Sequence, residues 1–160
     1  MGHRAESLAK RIEEGAAGLA AFAETLSEAE WHKPVSAHDR RPVGVIVHHV
    51  ASVYPIEVDL AKTIGSGKAV DVTWDVVADM NAKHGRDQAA VTKAAAIELL
   101  RKNSAQAAAA VRGFSDAELD TAAPFGLSFG APVTAQFVIE DHALRHSWHH
   151  LSRIRAAVGR

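Results

Sequence analysis

Apolar side chains in this chain recur at helical spacing and almost nowhere alternate, which restricts it to helices packed on helices. Leu8, Ile12, Leu19, Phe22 and Leu26 predict a first helix from about Ala5 to Leu26. Ser27-Glu28-Ala29-Glu30 has the pattern of a capping box and predicts a short turn through Trp31. A polar loop with Pro34, Ser36, His38 and Asp39 follows. Pro42 suits the first turn of a second helix that reaches about Ile64, where Gly65-Ser66-Gly67 stops it. A long connection comes next, with Thr73 as an N-cap, a helical stretch over Asp75 to Lys83 and an interruption expected at Gly85. The third long helix runs from about Thr92 to Arg112 and is rich in alanine, the best helix former. Ser115 to Glu118 repeats the capping-box pattern, and Pro124 to Pro132 reads as a loop or short extended piece. The last helix starts at Thr134, as N-cap, and runs to the C-terminus.

Four long helices in 160 residues predict an all-α fold: a four-helix bundle with a long connection between helices 2 and 3, as a single domain over residues 1–160. Apolar residues at 48% and charged residues at 23% supply an ordinary core and surface. The formal charge of -1 gives no long-range attraction to nucleic acid or to an anionic membrane, and neither is expected as a partner. The N-terminal sequence has no signal-peptide core, and no apolar run approaches the roughly 18 residues of a membrane span, so a cytoplasmic location is expected. The chain has no cysteine, so neither disulfides nor a protein thiol enter its chemistry.

Histidine is the residue out of proportion, with ten in the chain. Six lie in two tight groups, His48–His49 and His142, His146, His149, His150, while His3, His32, His38 and His84 are scattered over expected termini and loops. Each helical residue turns by about 100°, so direction can be assigned. In the last helix Phe137, Leu144, Leu151 and Val158 recur every seven residues as a core seam. With Leu144 at zero, His150 falls at about 240° and His146 at about 200°, continuing the apolar arc. His142 and His149 fall at about 160° and 140°, on the polar side with Arg145 and Arg153. In the second helix Ile46, Val50, Val53, Ile56, Leu60 and Ile64 form one stripe. His49 lies inside it and His48 outside.

One imidazole from the second helix and two from the fourth are therefore expected to face the interior. Side chains at i and i+4 sit about 6 Å apart on one face, which suits two imidazoles holding one ion. A third from a facing helix completes a three-nitrogen site with an open position, the arrangement of catalytic zinc. His49, His146 and His150 are thus the candidate ligands of one divalent metal. Imidazole nitrogen suits Zn, Ni and Fe alike. A lone inward histidine is more commonly a hydrogen-bonded core residue, and it is the convergence of three that favours metal. Glu57 falls within the apolar stripe and could orient a ligand histidine, but it lies two turns from His49, which favours a boundary or dimer-interface position. Pro55 is expected to kink the second helix, Trp148 to pack in the core or at an interface, and Tyr54 to sit at a boundary.

Two segments carry a family resemblance. Val43-Gly44-Val45-Ile46-Val47-His48-His49-Val50-Ala51 and His146-Ser147-Trp148-His149-His150-Leu151-Ser152-Arg153-Ile154 resemble the DinB/YfiT-like superfamily of metal-binding four-helix bundles. The first matches its His-(Leu/Val)-Ala mark at His49, and the second its His-x-x-x-His-x-x-Gln-(Ile/Leu) mark at His146 and His150. Arg153 stands where glutamine is common, and Arg41-Pro42 stand where Trp-Ser is frequent. The superfamily includes thiol-dependent S-transferases that use bacillithiol or mycothiol, and the mycothiol-dependent maleylpyruvate isomerase. The resemblance implies a metal-dependent transferase or isomerase acting on a small molecule through a low-molecular-weight thiol, which would have to come from outside this cysteine-free chain. A metal-dependent hydrolase and a non-enzymatic metal-binding stress or interaction module are the alternatives, and a homodimer is compatible with each.

Overall fold

Ser27, Thr73, Thr92, Ser115 and Thr134 each accept a hydrogen bond from a backbone N–H in the first turn of the helix they precede, in the computed structural model, which describes residues 2–160. Ser27 with Glu30 and Ser115 with Glu118 form complete capping boxes. The helices are α1 (His3–Glu24), α2 (Glu28–Trp31), α3 (Val43–Gly65), α4 (Trp74–Asp87), α5 (Lys93–Arg112), α6 (Asp116–Asp120), α7 (Ala135–Val138) and α8 (Arg145–Val158). A π-helical segment, Ile139–Leu144, joins α7 to α8, so the last long helix is continuous from Ala135 to Val158. Strands β1 (Ala122–Pro124) and β2 (Pro132–Thr134) pair antiparallel around a 3-10 turn at Gly126–Ser128, giving the expected short extended piece.

The four long helices form a ring. α1 packs on α5 and α8, and α3 packs on α5 and on the α7–α8 rod. Leu8, Ile12, Leu19, Ile46, Ile64, Leu100, Ile139 and Ile154 are fully enclosed between them. By length and composition α3 could cross a membrane, but 61% of its most apolar window is buried in the bundle, so that apolarity serves the core. Trp31 closes one end: its ring lies where a Cβ on Gly44 would sit, 2.2 Å from such an atom, and its indole N–H donates to the Val91 carbonyl. Only glycine at position 44 admits that approach.

Pro55 lies inside α3 and has no N–H to offer the carbonyl of Ala51. Asn103 of α5 supplies the missing donor, its Nδ2 reaching that carbonyl at 2.8 Å from a buried position. Gly85 does not interrupt α4, which runs on to Asp87. No residue of α4 is buried, and this helix crosses the outside of the bundle as a partial cover.

The π segment changes the phase of the last helix. The buried residues of α8 (Ser147, His150, Leu151, Ile154) fall between about 240° and 340° on a wheel set to Leu144. The buried residues at the start of the rod (Ala135, Val138, Ile139) fall between about 120° and 220°, a slip of about one residue, while Ala143 at about 260° already shares the phase of α8. The heptad seam is cut as a result. Phe137 is 42% exposed, and Trp148, expected in the core or at an interface, is 51% exposed. His142 turns from the polar side toward the interior, with only 14% of its side chain exposed.

Candidate metal centre

His49 sits two turns into α3, and His146 and His150 sit one turn apart on α8, opposite it. One nitrogen from each of the three lies within 4.8 Å of the other two. His49 Nε2 and His146 Nε2 approach to 3.2 Å, and the three rings stand at centroid distances of 4.7 to 5.4 Å. His49 and His150 are buried, and His146 is half-buried at the edge of a cleft. The three residues expected to converge do converge.

Two further contacts define the proton arrangement. Glu57, buried on α3, takes the other nitrogen of His146: Nδ1 to Oε1 is 2.6 Å. A carboxylate accepts, so Nδ1 of His146 is the donor in this contact and its Nε2 is the nitrogen turned toward His49. Glu57 therefore occupies the orienting role rather than the boundary position, and its partner is His146, not the nearer-in-sequence His49. Burial, with the neighbouring His146 and Arg41 charges adding to it, pushes His49 down to about 3. His150 is lowered even further, again chiefly by burial. Both imidazoles are neutral at physiological pH, the state that a metal ligand requires.

The donor set fits a divalent ion. Three imidazole nitrogens converge from two rigid helices, one ring oriented by a carboxylate, and Nδ1 of His150 is buried without a hydrogen-bond partner. Beneath them the Tyr54 hydroxyl bonds the Ser147 hydroxyl in a fully enclosed position, so Tyr54 ties α3 to α8 instead of lying at a boundary.

The cleft at this site has a volume of about 300 Å³. Val53, Ile56 and Leu60 of the α3 stripe form one wall, and Trp74, Val77 and Met80 of α4 form another. His142 and His149 stand at its rim. His84, which the sequence places among scattered histidines, belongs to this region. Its Nε2 lies 2.8 Å from His48 Nδ1, the two rings stack at 5.1 Å, and its edge meets His49 at 5.6 Å. Nothing in the sequence marks it, because α4 has no buried stripe against which a phase could be read. His48, outside the apolar stripe, is half-buried against His84. His149 is exposed, as expected from its position on the wheel.

The family model of the DinB superfamily matches residues 11–154, which include both histidine-bearing helices. Among solved structures, YfiT from Bacillus subtilis superposes with a TM-score of 0.72 at 17% identity, over 99% of this chain and 87% of its own. YfiT is described as "a probable metal-dependent hydrolase with an unusual four-helix bundle topology". At that identity the likeness establishes the fold. No curated protein matches.

Proposed function

The chain belongs to the DinB superfamily, and on that footing we propose that it binds one divalent ion through His49, His146 and His150 and serves as a transferase or isomerase that uses a low-molecular-weight thiol. The observation that carries the metal assignment is the convergence of three imidazole nitrogens within 4.8 Å at the wall of a ligand-sized cleft. A divalent ion there would supply positive charge that lowers the pKa of a bound thiol or water.

The chain's own groups support that chemistry in three ways. Burial disfavours the charged forms of His49 and His150, so each ring keeps one nitrogen able to bind a cation at neutral pH. Glu57 holds the proton of His146 on Nδ1 and fixes the ring's orientation. The apolar walls limit water around the reacting atoms. With no cysteine in the chain, an attacking thiolate would come from a co-substrate that enters the cleft.

The description of YfiT favours a second reading, in which water replaces the thiol and the protein is a hydrolase. Elemental analysis of protein dialysed at neutral pH, beside His49→Ala, His146→Ala and His150→Ala, tests the metal. The expected result is near-stoichiometric metal that each substitution removes. Turnover of a small electrophile with and without added thiol then separates the readings. Thiol-dependent turnover supports the transferase, thiol-independent turnover the hydrolase, and a loaded but inert protein a non-enzymatic module. Failure to retain Zn or Ni after reloading would remove the proposal.

A further inference from the structure

Two arginines from different parts of the chain, Arg41 and Arg153, meet on one carboxylate. Arg41 Nε and Nη2 reach Asp39 Oδ1 and Oδ2 at 2.9 and 2.8 Å, and Arg153 Nη2 reaches Oδ2 at 3.4 Å. Two guanidinium groups thus share a single negative charge, leaving one positive charge unbalanced. The backbone fixes the place of Arg41, since its carbonyl accepts from Val35 N at 3.0 Å and its own N–H donates to Asp39 at 3.2 Å. The aliphatic stem lies against α4 at Gly85. Asp39 occupies the Nε and Nη2 donors, but Nη1 is buried and has no acceptor.

Arg41 lines the same cleft as His49, His146 and His150. Of the other charged groups of the cleft, Asp141 is ion-paired with Arg145 at 3.1 Å and lies near His142, and Glu57 accepts from His146 through one oxygen. Much of the remaining wall is apolar, from Val53, Ile56, Leu60, Val77 and Met80. Asn81, His142 and His149 are its uncharged polar groups. A buried guanidinium nitrogen without an acceptor is costly, and an oxyanion satisfies it with a charge-assisted hydrogen bond. We propose that Arg41 is an anion-binding residue of this cleft, so that the small molecule taken up beside the three histidines carries a carboxylate on an apolar body. The inference rests on the reading of the cleft as a ligand site and names the chemistry of its ligand. Asp39 and Arg153 act as positioning residues that hold the guanidinium fork in place.

The test is isothermal titration of the full-length protein at neutral pH with hexanoate and with hexan-1-ol, in zinc-loaded and in chelator-treated form. The chelated form matters because a carboxylate can also bind zinc directly. In wild-type protein hexanoate is expected to bind at least about tenfold more tightly than the alcohol in both forms, the scale of one charge-assisted contact. Arg41→Gln is expected to abolish that preference in chelated protein while zinc content stays at the wild-type level. Equal affinities for the two ligands in chelated wild-type protein, or an unchanged preference in Arg41→Gln, would overturn the proposal. If Arg41→Gln does not fold, Arg41→Lys decides, because it keeps the charge and loses the fork. A preference weakened several-fold supports the proposal and an unchanged one overturns it. Failure of wild-type protein to hold zinc would sink the metal reading alone, since the chelated arm still reports on Arg41.

Discussion

Glu57 and His146 meet across the interface between α3 and α8 at 2.6 Å, and the bond leaves the opposite nitrogen of the imidazole aimed at His49. Glu57 is 5% exposed, and His146 is its one hydrogen-bonded side chain among the described residues. A buried carboxylate held against one histidine proton makes the ring a fixed donor of its lone pair instead of a freely rotating one.

Removal of that carboxylate is expected to weaken metal binding without touching a ligand. Glu57→Ala should lower zinc affinity by about 10- to 100-fold, measured by chelator competition at neutral pH. Glu57→Gln keeps an acceptor oxygen and should lower it less. An affinity equal to wild type in Glu57→Ala would mean that the bond does not support the site.

The metal-free protein should lose stability on acidification well before its carboxylates titrate. His49 falls from an ordinary 6.5 in the unfolded chain to about 3 in the folded one, and His150 is lowered in the same sense. Between those values the unfolded chain binds protons that the native state does not, so unfolding becomes easier as pH falls below 6.5. The slope is about 1.4 kcal/mol per pH unit for each histidine in that window. Urea denaturation at pH 7, 6 and 5 measures it, and His49→Gln should flatten the slope. A curve without slope below pH 6.5 would contradict the burial of these imidazoles.

Asn103 and Pro55 should be energetically coupled through a carbonyl that belongs to neither. Asn103→Ala leaves the Ala51 oxygen without a donor, at a cost of about 1–3 kcal/mol in urea or thermal unfolding. Pro55→Ala restores a backbone N–H to that oxygen, so Asn103→Ala should cost less in the Pro55→Ala background. Strictly additive effects in the double-mutant cycle would show that the side-chain bond does not replace the backbone one.

The outer helix should open independently of the bundle. α4 has no buried residue, and its attachments include the Trp74 indole N–H to the Leu127 carbonyl and the contact of His84 with His48. Amide exchange in α4 is expected to be faster than in α3 or α5, and His84→Ala should accelerate it further while leaving metal content unchanged. Protection in α4 equal to that of α3 would refute this.

The long helices, their caps and the three converging histidines were legible because each depends on a local pattern: a polar cap, a glycine stop, or an i, i+4 spacing on a helix of known phase. The remainder of the site depends on relations between elements. Glu57 could be measured only against His49 on its own helix, whereas its partner projects from α8. His142 was aimed outward because a uniform turn per residue was carried through Ile139–Leu144, where the helix widens. His84 lies on a helix with no buried stripe, so no periodicity could orient it. Arg41 sits in a loop, where side-chain direction follows from Asp39 and not from any repeat.

The widened turn at Ile139–Leu144 also bears on how such a bundle changes over generations. One extra residue in a helix is absorbed by such a turn without rotating the flanks, so Ala135, Val138 and Ile139 share a core with Leu151 and Ile154 although a uniform wheel sets them about a residue apart. Removing one residue there would let the turn rewind to ordinary α-helix with Phe137 still outward and Val138 still inward. A change of length is therefore confined to six residues, and His142, which stands within them, can be re-aimed while the core on either side stays as it is.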